Sequence, residues 1–122
     1  NLSKTIDRFL AIQAMGSQSA KTDMKKIKSS IEAYPQADIR ALTAGLDILE
    51  CVDLRPKLHT LTMLVHWMLG RLDSLVPAKL EDYIQSTLPA THSVTLFPHA
   101  SHAPFISHTE EFLTDLVSKI DM

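Results

Sequence analysis

Residues 61–69 read LTMLVHWML and are followed by Gly70. The run is apolar except for Thr62 and His66. It is too short for a bilayer, which takes about 20 apolar residues in a helix. A short, nearly continuous apolar run closed by glycine is the pattern of a strand buried on both faces, as in a parallel sheet covered by helices. Downstream, GRLDSLVP reads as a loop. Pro77 opens a helix whose buried face is Leu80, Tyr83, Ile84 and Leu88, and Pro89 closes it. Ser93–Phe97 (SVTLF) is a second short strand. Thr109–Ile120 is a last amphipathic helix through Phe112, Leu113, Leu116, Val117 and Ile120. Strand–helix–strand–helix order predicts an α/β fold with a short parallel sheet and a right-handed crossover.

Upstream of that run the pattern is helical. Ser3 is placed to cap a helix carrying Ile6, Phe9, Leu10 and Met15, with Gly16 at the left-handed C-terminal position. A second helix starts near Ser17 or Ser19, carries Ala20, Met24, Ile27 and Ile31 on one stripe, and ends before Pro35. A third presents Ile39, Leu42, Leu46 and Leu49. The chain thus divides into a helical segment, residues 1–52, and an α/β segment, residues 53–122.

The 122 residues suffice for one modest domain or part of a larger one, and 45% hydrophobic with 21% charged residues is ordinary for a soluble globular protein. Cys51 is the only cysteine, so no internal disulfide forms, which fits a reducing compartment. The N-terminus has no signal-peptide pattern and no Met, and it opens directly into a helix. A cytoplasmic piece excised from something longer is expected. Net charge is −2 but unevenly spread: residues 1–30 carry six basic and two acidic side chains, the remainder six basic and twelve acidic. Lys21, Lys25 and Lys28 fall on one helix face. A basic end on an acidic body suits an anionic partner.

Parallel sheets place their working loops at the carboxyl ends of the strands. The first such loop holds Asp73. The second, FPHASHAPFISH over residues 97–108, holds His99, His102 and His108. An acid after one strand and a histidine after the next form the back half of a nucleophile–histidine–acid triad. A zinc site competes, since His99-x2-His102-x5-His108 offers three nitrogens. The Cys pairs or His-x3-His spacing usual in structural zinc sites are absent. His59 and His92 read as exposed loop residues, and His66 as a hydrogen-bonded core histidine. No serine lies in G-x-S-x-G, and three glycines leave no phosphate-cradling loop.

RLDSLVP followed by HASHAPFISH resembles the acid and histidine loops of α/β-hydrolases. More closely, TIDRFLAIQAMG, GLDILECVDLR, LDSLVP and HAPFISHTEEF resemble the pimeloyl-acyl-carrier-protein methyl ester esterases of biotin synthesis, over nearly the whole chain. The resemblance implies the C-terminal half of such an esterase: a helical lid over residues 1–52, then the last two sheet strands and their helices over 53–122. It makes Asp73 the triad acid and His102 the triad base, with His99 and His108 as non-catalytic neighbours, no metal and no cofactor. It assigns Phe9, Gln13 and Met15 to the acyl channel, and Lys4, Arg8, Lys21 and Lys25 to the acidic acyl carrier protein. Three of those four are Lys where the family carries Arg, so charge is kept without the bidentate fork. The nucleophilic serine would lie upstream, in residues this chain does not contain. Nucleic-acid and membrane partners are not expected. Self-association is expected, either by pairing across the edge of the 61–69 strand or by exchange of the lid helices with a second copy. The competing functional class is a basic helical docking module with no chemistry.

Overall fold

A computed structural model describes residues 2–120. In chain order its elements are α1 (Leu2–Ala14), α2 (Ala20–Glu32), α3 (Ile39–Cys51), α4 (Arg55–Leu58), β1 (Val65–Gly70), α5 (Leu80–Thr87), β2 (His92–Phe97), α6 (Pro104–Ser107) and α7 (Thr109–Ile120). The strands form a two-stranded parallel sheet, with Val65 opposite His92 and Gly70 opposite Phe97. This is the mixed helix-and-strand arrangement that the alternating half of the sequence predicts.

Strand β1 is shorter than the apolar run. Residues 61–64 lie outside it, and Gly70 lies within it. Its partner sets the start: His92 N–H bonds back to the Pro89 carbonyl in a turn, and Val65 N–H takes the carbonyl of Thr91, the last residue before β2. Residues before Val65 therefore have no ladder partner on that side.

Helices α1 and α2 form an αα-hairpin. Gly16 has φ +89°, the left-handed position its glycine allows. Lys28 on α2 reaches Asp7 on α1 at 2.7 Å, and that bond holds the ammonium pKa above its ordinary value. Ser3 sits inside α1 rather than at its cap, because the helix already includes Leu2. Ser19 stands at the N-cap of α2, but its hydroxyl bonds the buried Asp23 carboxylate at 2.5 Å instead of a backbone N–H. Asp38 caps α3 by accepting from Arg40 N–H at 2.8 Å.

Leu10, Ala14, Ile84, Leu88, Phe97 and Ala100 are buried and join α1, α5, β2 and the histidine loop. Helix α3 is only partly covered: Leu42 is half-buried in a hollow it lines with Ile6 of α1 and Ile31 of α2, while Ile39 at 71%, Leu46 at 66% and Leu49 at 82% stay exposed, so the sequence pattern gives the helix correctly but not a partner for most of its apolar face.

His92 is not the exposed loop residue its sequence suggests. It opens β2, is buried, and accepts from Trp67 Nε1 at 3.1 Å, the two rings stacking with centroids 6.2 Å apart. The parallel register puts both rings on one face of the sheet.

Candidate active site: the acid and histidine loops

The loop after β1 is built around Asp73. Its Oδ1 accepts from Leu75 N–H at 2.7 Å and Val76 N–H at 3.0 Å, an Asx-type turn that fixes the carboxylate. Its Oδ2 is left facing the other loop, where His102 Nδ1 lies 2.9 Å away. The Asp73 side chain is 6% exposed and that of His102 is 32% exposed. A shielded carboxylate therefore meets an imidazole that opens to solvent on its far side. An ionised carboxylate accepts only, so Nδ1 carries the hydrogen and Nε2 keeps its lone pair. Among the described residues Nε2 has no hydrogen-bond partner. That is the posture of a general base awaiting a proton donor.

Backbone bonds lock the two loops together. Arg71 N–H reaches the Phe97 carbonyl at 3.0 Å, and Leu72 N–H reaches that of Ala100 at 3.0 Å. The approach is close enough to require a glycine. A Cβ at Gly70 would collide with the Ser101 carbonyl oxygen and lie 2.7 Å from that of Ala100.

The end of α1 braces the histidine from the other side. His102 N–H donates to the Gln13 carbonyl at 3.2 Å. The Ser101 hydroxyl, 2% exposed, points its hydrogen at the Gln13 carbonyl, with that of Met15 at 3.2 Å. Ser101 escapes a sequence reading, because nothing in ASHAP separates it from any loop serine. Gly70 reads there only as the end of a strand.

The three loop histidines do not converge. His102 turns to Asp73, while His108 Nδ1 lies 2.8 Å from the Ser107 hydroxyl. His99 and His108 line a polar hollow of about 340 Å³ with Ser17, Gln18, Ser19 and Ser107. No three His, Cys, Asp or Glu side chains gather as a metal site among the described residues. Gln13 is half-buried on α1 beside the site, whereas Phe9 and Met15 are largely exposed. Lys4 and Arg8 stand one turn apart on α1, and Lys21 and Lys25 one turn apart on α2, all exposed. Lys28, on the same stripe as Lys21 and Lys25, is committed to Asp7.

No family model matches the chain. It is 75% identical over 117 residues to the pimeloyl-acyl-carrier-protein methyl ester esterase of Pseudoalteromonas atlantica, covering 96% of this chain and 45% of that protein. It is 47% identical over 112 residues to the esterase of the same name from Aliivibrio fischeri, covering 92% and 43%. The identity is 49% over 115 residues to that of a Shewanella species, covering 93% and 42%. The chain thus spans less than half the length of the curated relatives it matches. Over that extent, nearly its whole length, the chain is similar to a segment of the pimeloyl-acyl-carrier-protein methyl ester esterases.

Proposed function

We propose that this chain supplies the acid and base of a serine carboxylesterase that hydrolyses the methyl ester of a pimeloyl chain carried on acyl carrier protein, a step of biotin synthesis in the cytoplasm. The carrying observation is the Asp73–His102 hydrogen bond at 2.9 Å, with Nε2 left open. In this reading residues 53–122 are the C-terminal part of an α/β-hydrolase core and residues 1–52 its lid. A serine outside this chain gives its proton to His102 Nε2 as its oxygen attacks the ester carbonyl, and Asp73 stabilises the imidazolium. The proton then passes to the departing methoxide, and water repeats the sequence on the acyl-enzyme. Phe9, Gln13 and Met15 contact the acyl chain. The exposed Lys4, Arg8, Lys21 and Lys25 receive the acidic carrier, where their charges speed encounter and fix orientation.

The test is His102→Ala in a family-length enzyme carrying this segment. Loss of one triad member should lower kcat by about 10⁴-fold or more. Activity within tenfold of the parent would overturn the reading. In the 122-residue chain alone, His102→Ala should change no ester turnover that depends on the triad, because the nucleophile that His102 serves is absent.

A further inference from the structure

A second histidine–carboxylate pair lies away from the candidate active site, where α7 faces the sheet. His66 on β1 and Ser93 on β2 are register partners on the face opposite Trp67 and His92, and Thr95 is two residues on. His66 Nδ1 lies 2.7 Å from Ser93 Oγ, and Nε2 lies 2.8 Å from Asp115 Oδ2 on α7. Thr95 Oγ1 donates to Asp115 Oδ1 at 2.9 Å and lies 3.2 Å from His66 Nε2.

Counting hydrogens leaves one arrangement for neutral His66. Thr95 has a single hydroxyl hydrogen, and it goes to Asp115. Only a lone pair of Thr95 then faces Nε2, and the Asp115 carboxylate can only accept. So Nε2 carries the ring hydrogen, and Nδ1 turns a lone pair to Ser93, whose hydroxyl donates into it. The order of donation, Ser93 to His66 to Asp115, is that of a nucleophile, a base and an orienting acid. The His66 and Asp115 side chains are 14% and 17% accessible, while Ser93 is exposed. Val65 N–H bonds the Thr91 carbonyl and Arg71 N–H that of Phe97, so the odd-numbered residues of β2 face β1. The Val94 N–H therefore points off the outer edge of the strand, next to Ser93, as a donor for a developing oxyanion.

We infer that Ser93 is an activated hydroxyl that accepts acyl groups from activated carboxylic esters, independently of His102. Ser93 Oγ bonds to the ester carbonyl carbon, and its proton passes to His66 Nδ1. The ester C–O bond breaks, and the leaving phenolate or alkoxide takes that proton, leaving O-acyl-Ser93.

The probe is p-nitrophenyl acetate on the 122-residue chain, with the acetyl group located by tandem mass spectrometry. Base assistance of this kind is worth about 100-fold or more. Ser93 should therefore acetylate about 100-fold faster than the exposed Ser30, His66→Gln should remove that advantage, and His102→Ala should leave it unchanged. Because His66→Gln also removes a tie to α7, a second measurement keeps His66 in place. In the Ser93→Cys variant, alkylation of the new thiol by iodoacetamide at about pH 6.5 is compared with alkylation of Cys51, an exposed thiol in the same chain. A thiol beside the His66 base should react about tenfold faster than Cys51. Acetylation of Ser93 at the rate of Ser30, or a thiol in the Ser93→Cys variant that reacts no faster than Cys51, would overturn the inference.

Discussion

His102 is held at three points: Nδ1 by Asp73, its backbone N–H by Gln13, and its neighbour Ser101 by the end of α1. This makes Asp73→Asn an informative change. Asn keeps an oxygen for Leu75 N–H and Val76 N–H, so the turn survives. Its amide then presents hydrogens to Nδ1, which must accept, and the ring hydrogen moves to Nε2. In a family-length enzyme kcat should fall about 10⁴-fold with little change in melting temperature. An imidazole ¹⁵N spectrum should show the tautomer inverted. Gly70→Ala should behave in the opposite way, with folding lost before chemistry. The added methyl meets two carbonyl oxygens on a loop that is itself tied to β1 and α1, and overpacking of this sort costs about 1–3 kcal/mol or more. The urea midpoint of the 122-residue chain should drop accordingly. Of these residues, strand ends mark the loops that hold Asp73 and His102 in the sequence, but spacing leaves His99 beside His102, and only the family resemblance singles out His102. Ser101 and the tight fit at Gly70 are not legible there, because both depend on which backbone passes within contact distance.

At the scale of elements, helix periodicity transfers well to the structure and burial transfers poorly. The stripe Ile39, Leu42, Leu46, Leu49 does form one face of α3, yet a stripe says only that a face is apolar, not what it meets. The apolar run at 61–69 overstates β1 by four residues at its start, since a strand extends only as far as its neighbour does. His92 misleads for the same reason: its burial comes from Trp67, 25 residues away. Among the lysines of α2, the sequence groups Lys28 with Lys21 and Lys25, but only the structure shows Lys28 pinned to Asp7. Lys21→Glu with Lys25→Glu, in a family-length enzyme, should raise KM for a carrier-linked ester about tenfold at low salt. Turnover of a small soluble ester should stay within twofold, and the gap between the two substrates should narrow as salt rises. Equal losses on both substrates would mean the charges serve the fold instead.

For the whole molecule, many large apolar side chains lie exposed at the surface. Ile39, Leu46 and Leu49 of the α3 stripe, with Val52, Leu54, Met63 and Leu64, are all more than half exposed, and β1 is paired on one side only among the described residues. The isolated chain should therefore associate. Size-exclusion chromatography with light scattering at about 100 µM should report a dimer or larger species, against the roughly 14 Å radius of gyration of a compact monomer. Leu46→Glu with Leu49→Glu should shift the population toward monomer. A monodisperse monomer of the parent chain would refute the prediction.

The seam between α1 and the histidine loop is sewn through carbonyl groups of Gln13 and Met15, not through their side chains. What positions His102 is thus chemically anonymous: any residue that keeps the helix supplies the same acceptor. Positions 13 and 15 can then change identity, and with them whatever they touch, while the base stays where it is. A library randomised at those two positions should retain His102 geometry in most of its members. The side chains beside His102 can therefore vary while the backbone that holds it stays the same.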